Sequence, residues 1–182
     1  ISNEWKDAPF KSAFVEFLSS WNILRQKVDS TSVLFAVGEI VKVEAMHKAT
    51  DMYGPLPYLK FGLTNPVPYD SQQAIYESFF KELDHAIDIL VKFDQANPSS
   101  KALVKFDLIF NSNIPNWIRF ANSLKLRLAM RISAVYEDAQ KIAEAAVAHP
   151  YGVIESNDNN PTMQPNSNLS FTYNNPIHSI SS

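Results

Sequence analysis

The run Tyr53-Gly54-Pro55-Leu56-Pro57-Tyr58, followed by Asn65-Pro66-Val67-Pro68, restricts the fold of this chain more than any other feature. Each proline fixes its own φ, lacks an N–H and pushes the residue before it out of the helical region, so residues 53–70 cannot be helix. On both sides of this break, apolar residues return every three or four positions, the spacing of an amphipathic helix. The chain therefore reads as helices set around an irregular loop.

Before the loop, Phe10, Ala13, Phe14, Phe17, Leu18, Trp21, Leu24 and Val28 predict a first helix over about residues 10–28. Ser30-Thr31-Ser32 supplies capping hydroxyls for a second, over about residues 32–52. Its start, Val33 to Val37, is strand-like in composition, but Ile40, Val41, Ala45, Ala49 and Met52 continue the helical spacing. After the loop, Asp70-Ser71-Gln72-Gln73 resembles a capping box and opens a third helix over about residues 71–92. Its core stripe is Ile75, Phe79, Leu83, Ala86, Ile87 and Leu90.

Residues 94–115 form a connection with one short apolar segment, Leu103 to Phe110. Pro115 suits a first helical turn and opens a fourth helix carrying Trp117, Phe120, Ala121, Leu124, Leu128, Ile132 and Val135. A break at Tyr136-Glu137-Asp138 precedes a fifth helix with Ala139, Ile142, Ala143, Ala146 and Val147, closed by Pro150 and Gly152. The expected fold is mainly α, with helical hairpins stacked in tetratricopeptide style and long irregular loops. Residues 1–150 make up the helical portion, and residues 151–182 an irregular Asn/Ser/Pro-rich segment leading into a missing remainder. The first residue is not Met and the chain ends in irregular sequence, so we read it as a piece of a longer polypeptide.

Composition removes several functions. With 182 residues, 46% of them hydrophobic, and a net charge of −3, the chain is a folded domain rather than a disordered segment. Four glycines and the absence of any Gly-rich phosphate loop argue against nucleotide binding, and the weakly acidic balance argues against nucleic acid. No apolar run reaches the roughly 20 residues of a membrane span. Without cysteine there is no disulfide, thiolate metal site or cysteine nucleophile.

Three constellations remain. Glu44-His47 and Glu82-His85 share the Glu-x-x-His spacing of carboxylate-bridged di-metal bundles. At about 100° per residue, however, His85 falls opposite the third helix's apolar stripe and Glu82 at its edge, so this pair reads as solvated surface. Arg119, Lys125, Arg127 and Arg131 give the fourth helix a basic side, either an acidic-ligand strip or, the preferred reading, a set of ion pairs over a helical core. Tyr53, Tyr58 and Phe61, with Asn65 nearby, concentrate aromatic rings and an amide in the proline-rich loop; Tyr151, Phe171 and Tyr173 do the same in the tail. Aromatic faces beside amide groups suit sugars, although loop tyrosines also serve simply to cover a core. No grouping of Ser, His and Asp has catalytic form, so neither an enzyme nor a cofactor is expected.

Three passages resemble the SusD/RagB-like outer-membrane nutrient-binding lipoproteins. Thr50-Asp51-Met52-Tyr53-Gly54-Pro55-Leu56-Pro57-Tyr58 is similar to that family's T-D-x-x-G-D-V-P-Y turn, with Pro55 in place of its Asp. Tyr69-Asp70-Ser71-Gln72-Gln73-Ala74-Ile75-Tyr76 and Leu83-Asp84-His85-Ala86 resemble its next helix. Asp107-Leu108-Ile109-Phe110 and the segment Trp117 to Arg131 resemble D-L-I-Y and W-x-K-F-A-N-S-L-R-L-R-L-A-M-R. Order and spacing agree over about residues 40–160.

The resemblance implies a non-enzymatic protein that captures glycans at the outer face of the outer membrane. It also implies delivery to a SusC-like TonB-dependent transporter and a lipid anchor on a cysteine outside this sequence. The family motifs assign no ligand residue; Tyr53, Tyr58, Phe61 and Asn65 are candidates from the loop argument alone. Two alternatives stay open: a protein-interaction scaffold whose ligand site lies elsewhere, or a peptide in place of the glycan. A di-metal bundle enzyme is the third and least favoured reading.

Overall fold

The computed structural model describes residues 8–163. Helix α1 contains a π-helical turn, Ser12–Leu18, and continues as Ser19–Lys27; α2 spans Val33–Tyr53, α3 Gln72–Ala96, α4 Ile114–Arg131 and α5 Ala139–Val147. A 3-10 turn, Asn157–Asn159, follows. Among the described residues, the one strand-type pairing is an isolated bridge between Leu56 and Asp70. Sequence neighbours are spatial neighbours: α1 packs on α2, α2 on α3, α3 on α4 and α4 on α5. This is the stacked helical arrangement the spacing predicts.

Local chemistry sets the helix starts. The side chains of Ser32, Ser71 and Asn113 accept hydrogen bonds from the backbone N–H groups of Phe35, Ala74 and Asn116, satisfying donors that the first turn leaves open. Gly54 ends α2 at φ +75°, a conformation that disfavours a side chain.

The ends differ from expectation in two places. Helix α3 runs on to Ala96 because Phe93 still packs on the core and the first breaker is Asn97-Pro98. Helix α4 stops at Arg131, short of Val135, which is 86% exposed. The Ser133 hydroxyl donates to the Met130 carbonyl, offering that carbonyl a partner other than the next helical turn. In α1 the π turn was not anticipated; the Ser19 hydroxyl donates to the carbonyl of Phe14, five residues back. Phe14, Leu18 and Trp21 are all buried on this helix.

The core lies between α2, α3 and α4. Ile40, Val43 and Met46 meet Ile75, Phe79, Leu83 and Leu90, and Trp117, Ile118, Leu124 and Leu128 close the layer, each at most 1% exposed. Each such side chain contributes roughly 1.5–3 kcal/mol relative to exposure. Helix α2 has neighbours on both sides, α1 and α3, which is why its apolar residues are not confined to one stripe and include the strand-like Val33–Val37 run.

Two of the passages that resemble the family segments are structural fasteners. The Asp107 carboxylate accepts from the N–H groups of Ile109, Phe110 and Ser112 and from the Trp117 indole at 2.8 Å, fixing the loop that leads into α4. Asn122 donates to the Gly152 carbonyl, Arg119 to that of Tyr151, and Ser123 accepts from the Ile154 N–H. The first residues after 150 are thereby tied to α4. Phe171 and Tyr173 lie outside the described residues.

Candidate functional site

The proline-rich loop is anchored at both ends. The Thr50 hydroxyl donates to the Gly54 carbonyl at 2.7 Å, and the backbones of Leu56 and Asp70 exchange hydrogen bonds of 3.2 and 2.8 Å. Asp70 also caps the loop from within, its carboxylate accepting from the N–H groups of Tyr58 and Leu59. A cis peptide bond joins Asn65 to Pro66.

The four loop candidates take different positions on this frame. Asn65 is exposed, and Tyr53 and Phe61 are half-buried. Tyr53 stands edge-on to Phe10 with centroids 5.6 Å apart, and Phe61 tilts against Phe14 at 6.0 Å. The Phe61 carbonyl accepts from Arg25. Tyr58 is only 6% exposed, edge-on to Phe79, with its hydroxyl donating to Glu82 at 2.6 Å. Burial, then the Glu82 charge, hold the Tyr58 phenol well above its ordinary pKa. The loop also exposes Tyr69 and Leu63, two apolar side chains that sequence reasoning passed over; an aromatic one residue beyond Pro68 was the available signal.

Beneath the loop, a 240 Å³ cavity lies over a seam of buried charge between α2 and α3. Lys42 bonds Glu82 at 2.9 Å and sits over the rings of Trp21 and Tyr58, at 4.6 and 5.3 Å from their centroids. The Ser78 hydroxyl, one turn earlier on α3, donates to Glu82 Oε1, the same oxygen that Lys42 bonds. Glu39 lies 2.7 Å from His85 Nδ1; burial raises the Glu39 pKa, while the bond to His85 and the Lys42 charge oppose that rise. Glu82 is therefore not solvated surface: it turns inward to Lys42, and only His85 is half exposed. The wheel placed Glu82 at the edge of the stripe, and an edge position faces a neighbouring helix rather than water once α2 packs there. In the other Glu-x-x-His pair, His47 is buried with Nδ1 3.2 Å from the Val43 carbonyl, and Glu44 pairs with Lys48 and Arg127. Among the described residues, no three His, Asp or Glu side chains converge as a metal set would require.

Three of the four basic residues of α4 form ion pairs, whereas Arg119 donates to the Tyr151 carbonyl and to Asn116 Oδ1. Lys125 pairs with Asp84, Arg127 with Glu44, and Arg131 with Asp51 at 2.7 Å. The last pair borders a 480 Å³ groove where the end of α2, the start of α3 and the end of α4 meet. Asp51 also accepts from the Tyr76 hydroxyl at 2.6 Å, and burial followed by that bond holds the Tyr76 pKa well above its ordinary value. Gln72 donates to the Thr50 carbonyl and Gln73 to Glu77. Tyr136 forms the groove's aromatic wall, stacked on Phe80 at 6.4 Å. Sequence reasoning missed this groove.

The described residues thus form a stacked-helix scaffold bearing a fastened irregular loop and polar, aromatic-rimmed concavities. Comparison with known proteins gives the family. The SusD-like family, described as Susd and RagB outer membrane lipoprotein, matches residues 1–182, and the chain belongs to it. Among solved structures, a chitin-binding SusD homologue from Flavobacterium johnsoniae is 35% identical with a TM-score of 0.85, covering 95% of this chain and 36% of that one. A protein described as chitin-binding is 39% identical, TM-score 0.73, covering 88% of this chain and 34% of that one. A SusD homologue from Bacteroides vulgatus is 35% identical, TM-score 0.76, covering 87% and 31%. No curated protein matches the chain. The chain thus spans about a third of the length of these solved relatives. No helix among the described residues is long and apolar enough to cross a membrane.

Proposed function

We propose that this chain is part of a non-enzymatic, lipid-anchored protein that captures glycans at the outer face of the outer membrane and passes them to a SusC-like TonB-dependent transporter. The observation that carries this reading is the likeness to a chitin-binding homologue, at 35% identity over 95% of this chain. Within the chain, the loop gives the binding surface. Tyr53 and Phe61 offer ring surface and the exposed Asn65 an amide, while Tyr58 takes the supporting part by holding the loop onto Glu82. Rings stack on the apolar faces of sugars and amides bond their hydroxyls, holding a chain without cleaving it.

The test is retardation of the full-length natural protein in native gels cast with soluble neutral polysaccharides: glycol chitin, laminarin, xylan and pullulan. Retardation by at least one, reduced in Tyr53→Ala, Phe61→Ala and Asn65→Ala, supports the reading. No retardation by any overturns the glycan reading and turns the search to peptides. Retardation untouched by the loop variants moves the site off the loop. That last outcome favours a scaffold role for this surface, a reading that the burial of Tyr58 supports.

A further inference from the structure

The groove between the ends of α2 and α4 has the make-up of a saccharide site that the loop reading does not use. Its 480 Å³ falls in the range of roughly 300–1,000 Å³ usual for small-molecule sites. One wall is aromatic: Tyr136 is half-buried and stacked on Phe80, so its orientation is set before any ligand arrives. Beside it Val135 is 86% exposed, an apolar side chain with no protein cover.

The polar side is fixed in the same way. Asp51 is held by the Tyr76 hydroxyl at one oxygen and by Arg131 Nε at the other. Arg131 is anchored through Nε, its side chain 58% exposed, and the planar guanidinium has further N–H donors beyond the one engaged. Gln73 directs its amide N–H₂ to Glu77, leaving the amide oxygen as an acceptor at the rim. Among the lining residues the Arg131 charge is matched by Asp51, and the next nearest charges at Tyr136 are the carboxylates of Glu77 and Asp138, which would repel an anion. A ring-shaped apolar wall opposite fixed, charge-balanced planar polar groups fits a sugar ring better than an anion or an alkyl chain.

We propose that this groove binds a short run of uncharged pyranose units, with Tyr136 as the stacking platform and Arg131 and Gln73 bonding the hydroxyl rim. The proposal rests on the glycan-capture reading and adds a second contact site to it, distinct from the loop.

The experiment uses the full-length protein on the same glycol chitin, laminarin, xylan and pullulan gels, with thermal melting as a check on folding. On the polysaccharide that retards the wild type, Tyr136→Ala should weaken binding about tenfold, Tyr136→Phe should bind as wild type, and Gln73→Ala should lose about threefold. Wild-type affinity in both Tyr136→Ala and Gln73→Ala overturns the groove assignment and leaves glycan capture standing. No retardation of the wild type on any gel overturns both. Should Tyr136→Ala fail to fold, Gln73→Ala and Val135→Glu decide the matter, since both positions are exposed; wild-type affinity in the two overturns the assignment.

Discussion

The seam beneath the loop and the groove beside α4 use similar residues to opposite ends. Each holds a carboxylate, a cation, a tyrosine and hydroxyl or amide groups: Glu82, Lys42, Tyr58 and Ser78 in the one, Asp51, Arg131, Tyr76 and Gln73 in the other. In the seam both charged side chains are at most 15% exposed, and the polar groups face one another. In the groove the arginine is 58% exposed and keeps donors for a partner. Burial decides the difference. A charge taken out of water must be fully matched inside the protein, whereas one left at a rim can bond a ligand.

The largest expected effect is in the seam. Lys42→Met leaves Glu82 buried without its cation and should cost about 3 kcal/mol in urea unfolding. Next comes the pH dependence of the same seam. Folding raises the Glu39 pKa, so the native state keeps a proton over a window above 4.5 in which the unfolded chain has lost it. Stability should therefore fall as pH rises through that window. The groups facing Glu39 are His85, Lys42 and Glu82, and Glu39→Gln should flatten the slope in melts taken from pH 4 to 7. A wild-type advantage over Glu39→Gln that grows as pH rises would contradict the burial of Glu39.

At the groove, Asp51→Asn weakens an ion pair with a half-exposed arginine and should cost only about 1 kcal/mol, read by the same urea titration. The smallest effect is expected of Arg127→Ala. Its pair with Glu44 is on the surface, and the loss should stay near 0.5 kcal/mol or below. A cost at Arg127 equal to that at Lys42 would break the contrast between buried and rim charge.

Local features were legible in the sequence, and features joining distant segments were not. The caps at Ser32 and Ser71 and the stop at Gly54 follow from neighbouring residues, so the second and third helices start where the sequence places them. The family turn Thr50–Tyr58 was visible as a motif, but its work of fastening the loop through Thr50 and Asp70 needed coordinates. That most basic residues of α4 form ion pairs was readable; that the partners of Lys125, Arg127 and Arg131 are Asp84, Glu44 and Asp51 was not, because those carboxylates come from two other helices. Glu82 misled for the same reason, since a helical wheel places a residue on a face without saying what covers it. The groove needs three helix ends at once, and no spacing within any one of them announces it.

The most direct test of the account is hydrogen exchange on the full-length protein, with and without the soluble polysaccharide that retards it. Slowed exchange at the backbone amides of residues 54–71 or 131–136, with the seam in α2 and α3 unchanged, is the predicted result. Slowing confined to parts of the protein outside residues 8–163 would contradict it and leave this portion as scaffold.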